Sequence, residues 1–208
     1  LKKQKMNKKR LAIILSKLKK INLPKANLEQ YQTEPETAAD ILWGAYLSND
    51  IDNKIVGDFG SGNGIFGIGA LILGAKKVYF VEIDKNNISL IKENLSNLEF
   101  KKPAKYEIYN INVKDFDVKV DTVIENPPFG VQKKHADKLF LDKSFSLAKT
   151  VYSLHKIESN NFVMKIAEEK SFKIVRLIQI DLILKRSMSF HKKSKHIVKV
   201  GCWVLKKK

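Results

Sequence analysis

A chain of 208 residues with 44% hydrophobic content is long enough to bury one sizeable core, and its 5 prolines and 10 glycines are too sparse to mark a linker. Its single cysteine, Cys202, excludes an internal disulfide and a cysteine-built zinc site, and no apolar run reaches the roughly 18 residues of a membrane span. The net charge of +17 is carried by the two ends: residues 1–20 and residues 185–208 each hold nine Lys or Arg and no acid, which favours a polyanionic partner such as RNA or DNA over a small neutral one. With no apolar segment after the basic start to suggest a signal peptide, a cytoplasmic location is expected, with no metal and no membrane partner.

In chain order, residues 5 to 20 put Leu11, Ile14, Leu15 and Leu18 at helical spacing among lysines, which predicts a short amphipathic helix lying on a larger body. Thr33-Glu34-Pro35-Glu36 reads as a helix start, with a capping side chain, proline in the first turn and acids near the positive end of the dipole. Ala38, Ile41, Leu42 and Ala45 carry that helix to about Leu47. From residue 54 short apolar runs alternate with helical stretches. Ile55-Val56 leads into a glycine-rich loop and a helix through Leu73; Val78 to Val81 is a strand, Lys85 to Leu98 a helix, and Tyr106 to Tyr109 and Thr122 to Ile124 are strands. A helix near 138–149, the strand Val151 to Leu154 and a helix near 158–170 follow, and two longer β-rich segments, Phe172 to Leu184 and His196 to Leu205, close the chain. The alternation predicts an α/β fold, one mostly parallel seven-stranded sheet with helices on both faces and an antiparallel pair at its end. Residues 1–208 read as one domain, 1–50 a helical lead-in and 51–208 the α/β core. Ligands of such sheets bind at the carboxyl ends of the strands, and two motifs fall there.

The first is Asp58-Phe59-Gly60-Ser61-Gly62-Asn63-Gly64, which follows the first strand and opens a helix, so that backbone can pass close to a ligand at the helix N-terminus. Glu82 ends the second strand, where a carboxylate can accept both hydroxyls of a ribose. A dinucleotide fingerprint would need glycine at position 65, which is Ile65; the run G-x-G-x-G behind an acid resembles motif I of class I methyltransferases, which bind S-adenosylmethionine. Asp58, Gly60 and Gly62 are then cofactor-binding candidates, the methionine ammonium held by backbone carbonyls and by water near Asp58. Asn112-Val113, after the third strand, occupies the place of an adenine-binding Asp in such enzymes, and the Asn112 carbonyl can accept the same bond.

The second motif, Asn126-Pro127-Pro128-Phe129, comes directly after the fourth strand. An exocyclic aromatic amine is a poor nucleophile because its lone pair is delocalised into the ring. The Asn126 side-chain oxygen and the Pro127 carbonyl can bind its two hydrogens and favour the pyramidal geometry of attack, a preorganised electrostatic aid. The consecutive prolines Pro127 and Pro128 keep both acceptors aimed, and Phe129 offers a stacking face for an extruded base. Tetrapeptides of this type serve adenine N6, cytosine N4 and protein glutamine amides alike, so the chemistry alone leaves three substrates open.

Read together, Leu28-Glu29-Gln30-Tyr31-Gln32-Thr33, the Asp58 loop, Asn126 to Gly130, Val151-Tyr152-Ser153-Leu154-His155-Lys156 and Phe190-His191-Lys192-Lys193 resemble the archaeal and eukaryotic small-subunit ribosomal RNA adenine-N6 methyltransferases of the methyltransferase-like-five type. The likeness runs from about Leu11 to Leu205. It implies a Rossmann-like class I methyltransferase in which Gln30 and Thr33 reach the cofactor from ahead of the fold, Gly60, Asn63 and Ile65 line it, and Glu82 binds its ribose. It also implies a small zinc-ribbon activator on the sheet edge at Tyr106 to Asn110. Two positions depart from the pattern: Asn63 stands where eukaryotic members have Cys, and Asn112 where an Asp is expected.

Lys133, Lys134 and His135 after the tetrapeptide, and His191, Lys192 and Lys193 near the C-terminus, are candidate phosphate contacts flanking the base pocket. The expected function is therefore an S-adenosylmethionine-dependent RNA methyltransferase acting on small-subunit ribosomal RNA. A protein glutamine-N5 methyltransferase and a non-catalytic RNA-binding module on the same fold are the alternatives.

Overall fold

A computed structural model of the chain describes residues 6–21, 32–100, 103–128, 136–184 and 196–208. Gln30, Phe129, Lys133, Lys134, His135, His191, Lys192 and Lys193 lie outside the described residues.

Helix α1 (Lys8–Leu15) starts where Asn7 accepts a bond from the Arg10 amide, and its Leu11 and Leu15 are buried. Helix α2 spans Pro35–Leu47, as the sequence predicts, but its start differs. Glu34, not Thr33, is the N-cap and makes no side-chain capping bond, while the Thr33 hydroxyl accepts from Asn126. Strand β1 (Ile55–Phe59), helix α3 (Ile65–Ile72), strand β2 (Lys77–Val81), helix α4 (Lys85–Ser96), strand β3 (Tyr106–Tyr109) and strand β4 (Thr122–Glu125) follow in turn. Helix α5 (Ala136–Leu147), strand β5 (Thr150–Lys156), helix α6 (Asn160–Glu169) and the long strands β6 (Phe172–Leu184) and β7 (His196–Lys207) complete the chain.

The strands form one seven-stranded sheet in the order β3-β2-β1-β4-β5-β7-β6. The first five are parallel, and β7 lies antiparallel between β5 and β6. Period-two alternation divides the core. Val56, Phe80, Ile124 and Leu154 pack with α1 to α4 on one face, whereas Phe59, Val81, Val123 and Val151 pack with α5 and α6 on the other. Winding reverses between β1 and β4, which pair with Phe59 opposite Glu125, so the glycine loop and the tetrapeptide leave the sheet side by side. The β6–β7 hairpin runs past the carboxyl end of β5, since β5 pairs with β7 only up to Val200 while Asp181–Leu184 pair with His196–Lys199 beyond it. Those four pairs project roughly 13 Å at ~3.3 Å per residue. Among the described residues no helix is long and apolar enough to cross a membrane.

Candidate active site

The glycine loop is held by backbone bonds to the neighbouring strand. The amides of Gly60 and Ser61 both donate to the Val81 carbonyl, at 2.9 and 3.2 Å, and the Ser61 hydroxyl donates to the Asp58 carbonyl at 2.7 Å. Gly60, Gly62 and Gly64 have φ of 68°, 56° and 84°, left-handed values that a side chain would strain. The path of the loop therefore depends on these glycines.

Asp58 is fully buried, and its Oδ2 accepts from the Gly67 amide in the first turn of α3 at 2.8 Å. Burial holds its carboxyl well above the usual range; the Gly67 bond opposes that shift and the nearby Glu82 charge adds to it. Asp58 thus anchors the helix N-terminus to the strand below the loop. Glu82 follows β2, and its two oxygens accept from the Gly62 and Asp84 amides, each at 2.8 Å. Burial raises its carboxyl too, against the pull of those two amides. One bond per oxygen leaves a second lone pair on each, the capacity that two ribose hydroxyls need. Beside it, Asn87 is buried with its Nδ2 unpartnered, and its amide opposes the upward shift of Glu82. A buried donor left without a partner is costly and suits a polar ligand group arriving there. The Asn110 amide ties down the same turn, donating to the carbonyls of Glu82 and Ile83 at 3.0 Å.

Asn126 leaves β4 half-buried, and its Nδ2 donates to the Thr33 Oγ1 at 3.1 Å across 93 residues of sequence. With Nδ2 engaged in this way, Oδ1 is the acceptor end of the amide. Pro127 is buried and Pro128 half-buried. The glycine loop, Glu82, Thr33, Asn126 and Pro127 therefore gather at the carboxyl ends of β1, β2 and β4.

Other predicted residues lie differently. Asn63 is buried, and its Nδ2 donates to the Lys19 carbonyl at 3.1 Å, while its own backbone carbonyl accepts from Asn94 at 3.0 Å. It binds the chain after α1 to α4. Ile65 opens α3 within the core, and Val113 is buried on the opposite face. Asn112 caps the 3-10 turn Val113–Asp115, its Oδ1 accepting from the Lys114 amide at 3.1 Å, which leaves one lone pair on that oxygen for another donor. Sequence reading missed Glu125, the residue before Asn126. It is completely buried and accepts from Ser144 and Ser153 hydroxyls at 2.6 and 2.8 Å. Its signal was a lone carboxylate at the end of an apolar strand.

The methyltransferase small domain model matches residues 32–176. The rRNA N(6)-adenosine-methyltransferase METTL5 of Danio rerio is 34% identical over 200 residues, covering 90% of this chain and 93% of the fish protein. The chain belongs to the methyltransferase small domain family, in its methyltransferase-like-five branch. An uncharacterised protein of Methanocaldococcus jannaschii is 37% identical over 200 residues, covering 90% of this chain and 89% of that protein. A crystal structure of a candidate RNA methyltransferase from Pyrococcus horikoshii superposes with a TM-score of 0.87 at 40% identity, covering 98% of this chain and 99% of that one. The methyltransferase motifs thus sit on a fold that this family shares nearly end to end.

Proposed function

We propose that this chain transfers a methyl group from S-adenosylmethionine to the N6 nitrogen of an adenine in small-subunit ribosomal RNA. The observation that carries the reading is the adjacency of the two motifs. Gly60 and Asn126 continue from paired strand ends, with the Asn126 amide oriented by Thr33. Gly60, Gly62, the second lone pairs of Glu82, Asn87 and Asn112 fit a ligand with a charged amino-acid tail, a ribose and an adenine. When bound, that cofactor supplies an electrophilic sulfonium methyl.

The chain's own residues prepare the nitrogen. The Asn126 Oδ1 and Pro127 carbonyl accept the two N6 hydrogens and favour a pyramidal nitrogen whose lone pair is withdrawn from conjugation with the ring. No protein base is required beforehand, because the methylated ammonium loses its proton to water. In this proposal Phe129 stacks on the extruded base and Gln30 joins Thr33 at the cofactor. Lys133, Lys134, His135, His191, Lys192 and Lys193 contact phosphates, a role favoured by the β6–β7 hairpin, which runs out past the carboxyl end of β5 toward the substrate side. One domain, with residues 1–50 as its lead-in, would do this in the cytoplasm.

The test is reaction of purified protein with ribosomal subunits and labelled S-adenosylmethionine, followed by mass-spectrometric mapping of N6-methyladenosine. Label in protein rather than RNA would favour the glutamine alternative. Cofactor binding without any transfer would favour the non-catalytic one. Asn126→Ala should lower transfer by at least about a hundredfold, the cost of one preorganised polar group, while cofactor binding persists.

We further propose that the outer edge of β3 takes a small zinc-ribbon activator. Among the described residues β3 pairs only with β2, and Tyr106 on it is 41% exposed. An open edge of this kind invites strand addition. Charge substitution at Tyr106 should abolish activation by such a partner and leave the basal rate intact.

A further inference from the structure

The Tyr-Ser-Leu-His-Lys string of β5 has no place in the methyl-transfer chemistry, yet two of its side chains end beside the tetrapeptide. Ser153 lies opposite Glu125 in the β4–β5 register, and its hydroxyl donates to Glu125 Oε1 at 2.8 Å. His155 Nε2 is 2.7 Å from the same hydroxyl oxygen. While Glu125 is ionised and takes that hydroxyl's hydrogen, His155 is the donor, through Nε2–H. From the other side Ser144 of α5 donates to Glu125 Oε2 at 2.6 Å. Glu125, Ser144, Ser153 and His155 are all buried, and His155 packs edge-on against the Trp203 ring, 5.7 Å between centroids.

This network has a definite relation to the candidate site. Glu125 is the last residue of β4 and Asn126 the next in the chain; Ser144 is on α5, the helix that the chain enters after the tetrapeptide. A single carboxyl group therefore closes the segment from 125 to 144 at both of its ends and fastens the closure to β5.

We propose that Glu125 is a positioning residue for methyl transfer, its carboxyl group joining β4, α5 and β5 so that Asn126 and Pro127 present their acceptors in one fixed place. The inference rests on the function proposed above. Its physical logic is that a segment carrying acceptors must hold them to within a fraction of an ångström, since a displacement of about 1 Å in a reacting group costs on the order of a hundredfold in rate. A buried carboxyl with two hydroxyl partners, one of them held in turn by His155, supplies directional restraint that apolar packing does not. The titratable neighbours are His155 on β5 and Cys202 on β7. Burial drives the histidine down to about 3 and the thiol above its ordinary value, so both stay neutral around neutral pH.

The experiment compares wild type with Glu125→Leu and Glu125→Gln in steady-state methylation of ribosomal subunits, in calorimetric binding of S-adenosylmethionine, and in amide hydrogen exchange of the 122–147 region. The leucine variant strands the buried Ser144 and Ser153 hydroxyls, at a cost of about 1 to 3 kcal/mol each, so its folding is checked first by circular dichroism. The expected result for it is a fall in kcat of about tenfold to a hundredfold, with cofactor affinity within about threefold of wild type and exchange in 122–147 about tenfold faster. The glutamine variant, whose amide can accept from one serine and donate to the other, should recover most of the rate and the protection. A folded leucine variant with kcat within about twofold of wild type would overturn the inference. So would unchanged exchange, or cofactor affinity falling as far as kcat. Should the leucine variant not fold, Ser153→Ala is read by the same criteria. If the wild-type protein methylates no RNA, the functional proposal fails on that control, and the exchange comparison still decides whether Glu125 fixes the segment.

Discussion

Glu125 and His155 lie one serine apart, and burial moves their proton affinities in opposite directions. Glu125 is raised to about 7, burial outweighing the two serine bonds that oppose it, and burial alone drives His155 down to about 3. Folding therefore favours a proton on Glu125 and disfavours one on His155. For Glu125 the stabilisation is complete below the ordinary carboxyl range near 4.5 and is lost as pH rises through about 7. A shift of that size corresponds to roughly 3 kcal/mol, of which about 2.5 falls between about pH 5 and about pH 8. Glu125→Gln removes this titration and keeps the shape. The stability of wild type relative to the variant, from urea unfolding, should then fall by about 2 to 3 kcal/mol over that interval. Asp58 and Glu82, which also have raised values, are present in both proteins and cancel in the difference. The histidine runs the other way. Its stabilisation is present above about 6.5 and is lost as pH falls toward about 3, so wild type relative to His155→Gln should gain stability with rising pH, about 1.2 kcal/mol per unit on average between about 4.5 and 6.5. Parallel pH curves for wild type and Glu125→Gln would refute the burial argument for this carboxyl.

Three further outcomes follow from single contacts. Thr33→Val keeps the shape of the side chain but deprives Asn126 Nδ2 of its acceptor at 3.1 Å, so kcat should fall about threefold to tenfold, the rate equivalent of a hydrogen bond worth about 1 kcal/mol, and Thr33→Ser should restore it. Gly67→Ala would put a methyl group 2.2 Å from the buried Phe80 Cε1, and its unfolding midpoint in urea should show a loss of about 1 to 3 kcal/mol from overpacking. Tyr152→Phe removes the hydroxyl that donates to Asp50 Oδ2 at 2.8 Å and should cost about 1 to 3 kcal/mol in the same assay, with methylation unaffected.

Periodicity made most of the fold legible. Apolar runs bounded by glycine or polar residues located all seven strands, β3 and β6 with the ends they have in the structure and the others within a few residues. Both motifs were placed correctly at strand ends because strand order in a doubly wound sheet leaves only one crevice for them. Less visible was what individual polar side chains hold. Thr33 ahead of proline has the sequence of a helix cap, yet its hydroxyl serves Asn126, and nothing local distinguishes the two uses. Asn63 sits among the glycines like a ligand contact, but the Lys19 carbonyl, 44 residues earlier, claims its amide. Partnerships across such distances are decided by the fold, and composition carries no trace of them.

The β5 string shows how an apparent signature can hold two devices at once. Side chains alternate across a strand, so Tyr152 and Leu154 face α1 to α4 while Ser153 and His155 face α5 and α6. On the first face Tyr152 donates to Asp50, which also pairs with Lys206 at 2.8 Å and whose carbonyl accepts from Thr122 at 2.6 Å. These contacts fasten the chain ahead of β1 to β4, β5 and β7. On the second face Ser153 and His155 complete the Glu125 network behind the tetrapeptide. A one-residue slip of β5 would exchange the two sets and leave a tyrosine and a carboxylate unpartnered in the core. Register and site geometry are thus specified by the same four residues, Tyr152 to His155. That is a physical reason for such a string to accompany the tetrapeptide: it fixes the strand next to the one from which the tetrapeptide leaves.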